Sequence, residues 1–267
     1  MQQADLHFFV TLMQETGAGI MRWFRREVFI DRKSDDSPVT IADREANNFL
    51  VAAIGNRYSG AHFITEESPL PPYEIRRQWS SVWLIDPLDG TKEFIRGDTG
   101  FTVNVALIEN GMPVFGMVYA PALNEWYLGG QQMGSYKSVA ASEPHEWNSN
   151  GVFFQKLSTN YTNYIEKSEV HALVSNSHAT KETADFLNGL HEQGKTVTTT
   201  AVGSSLKTCR VAAGLADIYP RFGPTSEWDT AAAHAVAIYA GRKVVTPEGI
   251  PLQYNKPDII NPAFLVY

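Results

Sequence analysis

The 267 residues include 29 acidic and 22 basic side chains, a net charge of -7, with 43% hydrophobic and 19% charged residues. That balance excludes a disordered or fibrous chain, and it disfavours a polynucleotide partner, whose phosphates an acidic surface repels. The single cysteine, Cys209, excludes a disulfide framework, fits a reducing compartment and reads as a buried structural thiol.

In chain order, Phe9, Leu12, Met13, Ile20 and Phe24 form an apolar N-terminal pattern broken by Gln14, Glu15 and Arg22. No run reaches the ~20 residues needed to span a bilayer, and Asp5 preceding Arg22, Arg25 and Arg26 reverses the charge order of a secretory signal. The expected location is the cytoplasm, with this aromatic, arginine-bearing helix able to touch a membrane surface weakly. After Asp43, the residues Ala46, Phe49, Leu50, Ala53 and Ile54 repeat at helical spacing, and Gly55 is the expected stop. Residues 61–65 read as a buried strand delivering Glu66 and Glu67 at its end. Residues 82–85 read as a second strand, ended by the turn Asp86-Pro87-Leu88-Asp89-Gly90-Thr91. Two β-rich runs, 101–108 and 114–120, are joined through Asn110-Gly111, a tight-hairpin dipeptide, and continue as an antiparallel meander.

From Gly129 to Tyr164 the sequence turns polar and weakly periodic, which predicts a variable connection between an N-terminal half, 1–164, and a C-terminal half, 165–267. In the second half, 171–175 and 196–202 read as strands and 181–190 as a helix. Gly203-Ser204-Ser205 opens a helix closed by Gly214, its N-terminal N–H groups available to an anion. Asp229 precedes a helix over 230–240 closed by Gly241, with Trp228 as a packing anchor and His234 as a core residue.

Four carboxylates stand out: Glu66, Asp86, Asp89 and Asp229. Three end strands or turns and one begins a helix, positions where α/β folds gather ligand groups. Singly, each has an ordinary explanation: solvated loop acids for Glu66 and Glu67, turn formers for Asp86 to Thr91, a helix cap for Asp229. Their ordered combination makes those explanations coincide.

The string Trp83-Leu84-Ile85-Asp86-Pro87-Leu88-Asp89-Gly90-Thr91, with Trp228-Asp229-Thr230-Ala231-Ala232, resembles the two signatures of the inositol monophosphatase superfamily of magnesium-dependent, lithium-sensitive phosphatases. Asp36 to Asp43, Glu66-Glu67-Ser68, Gly203 to Lys207 and Tyr219 to Pro224 are similar to its bacterial 3'(2'),5'-bisphosphate nucleotidase branch. The resemblance implies an α/β fold, a layered αβαβα sandwich with the site where the halves meet. It implies two or three Mg²⁺ ions held by Glu66, Asp86, Asp89, Asp229 and the Leu88 carbonyl, an all-oxygen set suited to a hard cation rather than Zn²⁺. It further implies that Thr91, oriented by Asp43, activates the attacking water.

By the same resemblance Glu66, Leu88, Asp89 and Asp229, with Gly90 and Thr91, surround the reacting phosphate. Ser204, Ser205 and Lys207 meet a second phosphate, and His178 and Arg221 flank base or ribose. The expected partner is a small phosphorylated nucleotide, 3'-phosphoadenosine 5'-phosphate, recycled during sulfur assimilation, and no nucleic acid polymer. The polar 129–164 stretch could remodel the entrance, which leaves an inositol phosphate or sugar bisphosphate as the competing substrate. A non-catalytic nucleotide or cation sensor is the competing class, and the presence of both Asp43 and Thr91 speaks against it.

Overall fold

The computed structural model describes residues 3–27, 30–32, 38–175 and 180–267. Helix α1 (Gln3–Met21) is followed by a ribbon of β1 (Ile30–Arg32) and β2 (Pro38–Thr40) and by α2 (Ile41–Arg57). Then come β3 (Phe63–Thr65), α3 (Tyr73–Arg76), β4 (Ser81–Asp89), α4 (Thr91–Arg96), β5 (Thr102–Glu109) and β6 (Met112–Ala120). The strands β7 (Glu125–Gly130), β8 (Gly134–Val139), β9 (Trp147–Ser149) and β10 (Val152–Lys156) complete one eight-stranded sheet, ordered β3-β4-β5-β6-β7-β8-β10-β9. β3 runs parallel to β4 and the other pairs are antiparallel, so the sheet is mixed.

The second half supplies β11 (Glu169–Ser175), α5 (Lys181–Glu192), β12 (Thr196–Val202), α6 (Leu206–Ala212), β13 (Tyr219–Arg221), α7 (Glu227–Tyr239), β14 (Val244–Val245) and β15 (Phe264–Val266). β11 pairs with β12 in parallel, and β15 sits between β13 and β14.

Period-two alternation sets the layers. On β4, Trp83 and Ile85 face a core with Phe9, Met13 and Leu50 of α1 and α2, while Val82 and Leu84 face the opposite core with Cys209, Ala232 and Val236 of α6 and α7. Both faces are therefore covered, which explains why the strand reads as a continuous apolar run. Tyr219 and Phe264 pack on the far side of α6 and α7, and a third cluster with Val170, Leu190 and Ile218 places α5 outermost. The result is a layered mixed α/β sandwich. Its main core is shared between the chain's two halves.

Two sequence expectations are corrected. α2 does not stop at Gly55 but runs to Arg57, because Asp5 of α1 holds the next turn through Arg57 at 2.8 Å and the Tyr58 hydroxyl at 2.9 Å. Tertiary contact outweighs the modest helical cost of glycine. Residues 129–164 are not merely a connection: they carry the end of β7 and all of β8, β9 and β10, the far edge of the large sheet. Their small residues serve packing, since a Cβ at Gly129 would lie 2.7 Å from Val236 Cα, and Ser135 Oγ donates to Val236 O at 2.7 Å. Asn110 and Gly111 both take positive φ, 49° and 80°, as their tight hairpin requires.

Candidate active site

β3 ends at Thr65 opposite Ile85, where Glu66 N–H donates to Ile85 O at 3.2 Å, whereas β4 does not stop at residue 85 as expected but runs on to Asp89 with an irregularity between Asp86 and Asp89. That register sets Glu66 next to Asp86. α7 crosses beneath, and one carboxylate oxygen each of Glu66, Asp86 and Asp229 lie within 4.8 Å of one another. Asp86 is buried, its Oδ1 accepting from Leu88 N at 3.0 Å, so the turn is self-braced. Asp89 points toward the second half instead. Its Oδ2 accepts from Ser205 N at 2.7 Å and from Thr102 and Asn104 at 3.4 Å each.

Asp43 and Asp229 are not helix N-caps but occupy the third helical position, each in a capping box. Asp43 Oδ2 accepts from Thr40 N at 2.8 Å and Thr40 Oγ1 at 2.6 Å, and Asp229 Oδ2 accepts from Ser226 N at 2.7 Å. The other oxygen of Asp43 accepts from Thr91 Oγ1 at 3.0 Å, and the same hydroxyl lies 3.3 Å from Leu88 O. Gly90 supplies the left-handed residue, φ +95°, that turns β4 into α4, and a Cβ there would lie 3.2 Å from Ser204 Oγ.

The electrostatics follow from burial of like charges. Burial first, then the charges of Glu66, Asp89 and Asp229, pushes Asp86 well above the usual carboxylate range. Asp229 is pushed well up by burial and by Asp89 and Glu66. Asp89 is raised by burial, although the Lys207 charge and the Ser205 N–H oppose it. Asp43 is also raised by burial, against the hydrogen bonds from Thr40 and Thr91. Asp86, Asp89 and Asp229, whose ionised forms burial and neighbouring carboxylates disfavour, offer with Glu66 only oxygen and no histidine or thiol, and match a hard divalent cation, which removes the repulsion. The residues present therefore fit Mg²⁺.

Around them is a cavity of about 600 Å³, lined also by Ser204, Lys207, Tyr219, Arg221, Trp228 and Ile260. Lys207 donates to Val202 O at 3.1 Å and Ser204 O at 2.7 Å, and burial lowers its ammonium to about 8. Arg221 donates to Gly223 O at 3.1 Å and Pro224 O at 2.9 Å. Ser204 holds Gly100 O, and Ser205 Oγ donates to Asp229 O at 2.6 Å. The structure thus brings Asp43, Glu66, Asp86, Leu88, Asp89, Gly90, Thr91 and Asp229 together with these second-half residues. The Ser205 N–H expected to receive an anion is given to Asp89. His178, with Asp36 and Ser37, lies outside the described residues.

Sequence reasoning did not identify Thr40, Asn104 and Ser226 as supports. Asn104 is almost fully buried and donates to both Asp89 and Ser205 Oγ, the latter at 3.0 Å. Its signal was a polar residue inside the apolar run 101–108. Thr40 and Ser226 were legible as hydroxyl residues three positions before Asp43 and Asp229, the spacing of a capping box.

Comparison with known proteins gives the family and the fold. A Salmonella typhimurium protein named 3'(2'),5'-bisphosphate nucleotidase CysQ is 41% identical over 239 residues, covering 88% of this chain and 87% of its own length. The Escherichia coli K12 protein of the same name is 38% identical over 261 residues, covering 96% of each chain. The crystal structure of CysQ from Bacteroides thetaiotaomicron, described as a bacterial member of the inositol monophosphatase family, superposes with a TM-score of 0.81 at 36% identity, covering 99% of this chain and 97% of its own. The Inositol monophosphatase family model matches residues 1–265, and the chain belongs to that family.

Proposed function

We propose that the protein is a Mg²⁺-dependent phosphomonoesterase that hydrolyses 3'(2')-phosphoadenosine 5'-phosphate to AMP and inorganic phosphate. The observation that carries this reading is the convergence of Glu66, Asp86 and Asp229 within 4.8 Å, beside the Asp43–Thr91 pair. Kinship with bisphosphate nucleotidases at 38–41% identity supports the choice of substrate.

Glu66, Asp86, Asp89, Asp229 and the Leu88 carbonyl are the residues that would hold Mg²⁺. When bound, Mg²⁺ supplies the charge neutralisation and water activation that hydrolysis of a phosphate dianion needs. Thr91 gives its hydroxyl hydrogen to Asp43 Oδ1, which leaves the Oγ1 lone pairs to accept from a water and orient it toward phosphorus. Asp43, its ionised form disfavoured by burial, is suited to take the proton passed through Thr91. Lys207 uses two of its three ammonium hydrogens on backbone carbonyls, and Arg221 uses its Nε and one Nη. Lys207 keeps a donor for a second phosphate and Arg221 keeps donors for the base or ribose, and His178 completes the nucleotide side in this reading.

Initial rates on 3'-phosphoadenosine 5'-phosphate, inositol 1-phosphate and fructose 1,6-bisphosphate, each with and without Mg²⁺, test the assignment. The nucleotide should be preferred and all turnover should need the cation. Preference for either sugar phosphate overturns the substrate, and turnover persisting in chelator overturns the metal requirement.

A further inference from the structure

Glu227, two residues before Asp229, is completely buried, and the chemistry above does not use it. Its carboxylate accepts from Asn255 N at 2.6 Å, Lys256 N at 3.0 Å and Lys256 Nζ at 2.6 Å. A buried charge is tolerated only with such partners, so the segment 253–261 is held firmly across the start of α7. Asn261 reinforces it, donating to Ser226 O at 2.8 Å and Thr230 Oγ1 at 2.9 Å, on either side of Asp229.

The other flank of this segment is held by the N-terminal half. Arg76, 1% exposed at the end of α3, lies midway in sequence between Glu66 and Asp86. It donates to Asn255 Oδ1 at 3.0 Å and Pro257 O at 2.8 Å, while Asn255 Nδ2 donates back to Arg76 O at 2.7 Å. Asn255 therefore faces Arg76 with its side chain and Glu227 with its backbone. Arg76, half-buried Asn255 and Glu227 form a continuous chain of hydrogen bonds from the element that joins Glu66 to Asp86 to the helix that presents Asp229.

We propose that this Arg76–Asn255–Glu227 bracket is a positioning device for the proposed cation site: it fixes how far the carboxylate of Asp229 stands from those of Glu66 and Asp86, and so sets cation affinity. The inference rests on the Mg²⁺ reading above. Three carboxylates on two separately tethered segments bind a small cation tightly only when their separation is held in advance, because octahedral Mg²⁺ tolerates little variation in ligand distance. The bracket crosses from one segment to the other without touching a ligand oxygen.

Asn255→Gly isolates the effect. It removes both side-chain bonds to Arg76, leaves the backbone N–H for Glu227, suits the positive φ of 59° at this position and changes no charge. Any loss of cation affinity is then geometric rather than electrostatic. Calorimetric titration of Mg²⁺ into the folded protein should show affinity about tenfold weaker than wild type, with kcat at saturating Mg²⁺ within about threefold, a 1.4 kcal/mol change in binding. A variant with a lowered melting temperature but wild-type Mg²⁺ affinity overturns the proposal and leaves the bracket a stability feature only. If Asn255→Gly does not fold, Arg76→Lys keeps the charge but cannot span both acceptors, and the same titration decides in the same way. Wild-type protein that binds no Mg²⁺ would sink the cation reading itself, a result separable from a variant that matches wild type.

Discussion

Asp43 and Thr91 carry the sharpest prediction at the level of single residues. Asp43→Asn keeps the size and the cap geometry of the carboxylate but removes the oxygen that receives a proton through Thr91. kcat should fall by about 10²–10⁴-fold, the usual contribution of a positioned acid or base. Mg²⁺ affinity measured by calorimetry should stay within about twofold, because Asp43 is not among the three clustered carboxylates. Unchanged turnover would remove Asp43 from the mechanism.

His234 carries a prediction about pH. Burial lowers its imidazole to about 3, against 6.5 in the unfolded chain, and Nδ1 lies 2.8 Å from the Tyr254 hydroxyl. Between those values the unfolded chain binds a proton that the folded one does not. The neutral-histidine contribution is thus complete above 6.5 and is lost as pH falls toward 3. Moving from pH 7.5 to 5 should cost about 2 kcal/mol through this group, and His234→Gln should flatten the urea-midpoint profile by that amount. A variant profile parallel to wild type would contradict it. Its core role was readable from the alanine-rich helix around it. Asn104 was not readable in the same way, because a lone polar residue in a strand does not announce which carboxylate it will meet.

Among the elements, the glycine contacts of α7 set how closely the helix that carries Asp229 approaches the sheet. A Cβ at Gly116 on β6 would fall 2.3 Å from Ala232 O and 2.8 Å from Ala232 Cα, both backbone atoms that cannot swing aside. Gly116→Ala should therefore destabilise by about 1–3 kcal/mol, read from chemical denaturation, through overpacking. An unchanged midpoint would show that the layer yields.

The apolar runs of β4 and β5, the Asn110-Gly111 hairpin and the helix over 181–190 were all legible because each rests on neighbours in sequence. Residues 129–164 were misread for the opposite reason. Gly129 and Ser135 look like linker composition, yet they are small because a helix more than a hundred residues later lies against them. A local pattern carries no mark of so distant a neighbour.

For the whole molecule, Glu66 and Asp86 belong to the large sheet and Asp229 to a helix of the second half, so a cation bound among them ties the two together. Mg²⁺ at 100 times its dissociation constant should stabilise the protein by about 2.7 kcal/mol. The melting temperature should rise by about 2–4 °C for each kcal/mol. Asp86→Asn should abolish that increment without lowering the melting temperature in chelator, since it removes one of several mutually repelling charges. An increment that survives the substitution would place the cation elsewhere. The separation in sequence of these acids was visible from the start. What brings Arg76 and Asn255 together, however, is an asparagine in left-handed backbone and a buried arginine, neither of which the motif strings include.

The two helix-borne acids differ from the two on strands in how they acquire their aim. Asp43 and Asp229 are oriented by bonds to residues only three places upstream, which exist as soon as the first helical turn winds. Glu66 meets Asp86 only when β3 and β4 pair, although Leu88 N braces Asp86 locally. Two of the five acids are thus directed by contacts that need no assembled interior. Replacing Thr40, whose hydroxyl donates to Asp43 Oδ2, would misdirect that carboxylate even in a perfectly packed protein, whereas Ser226 aims Asp229 through its backbone N–H.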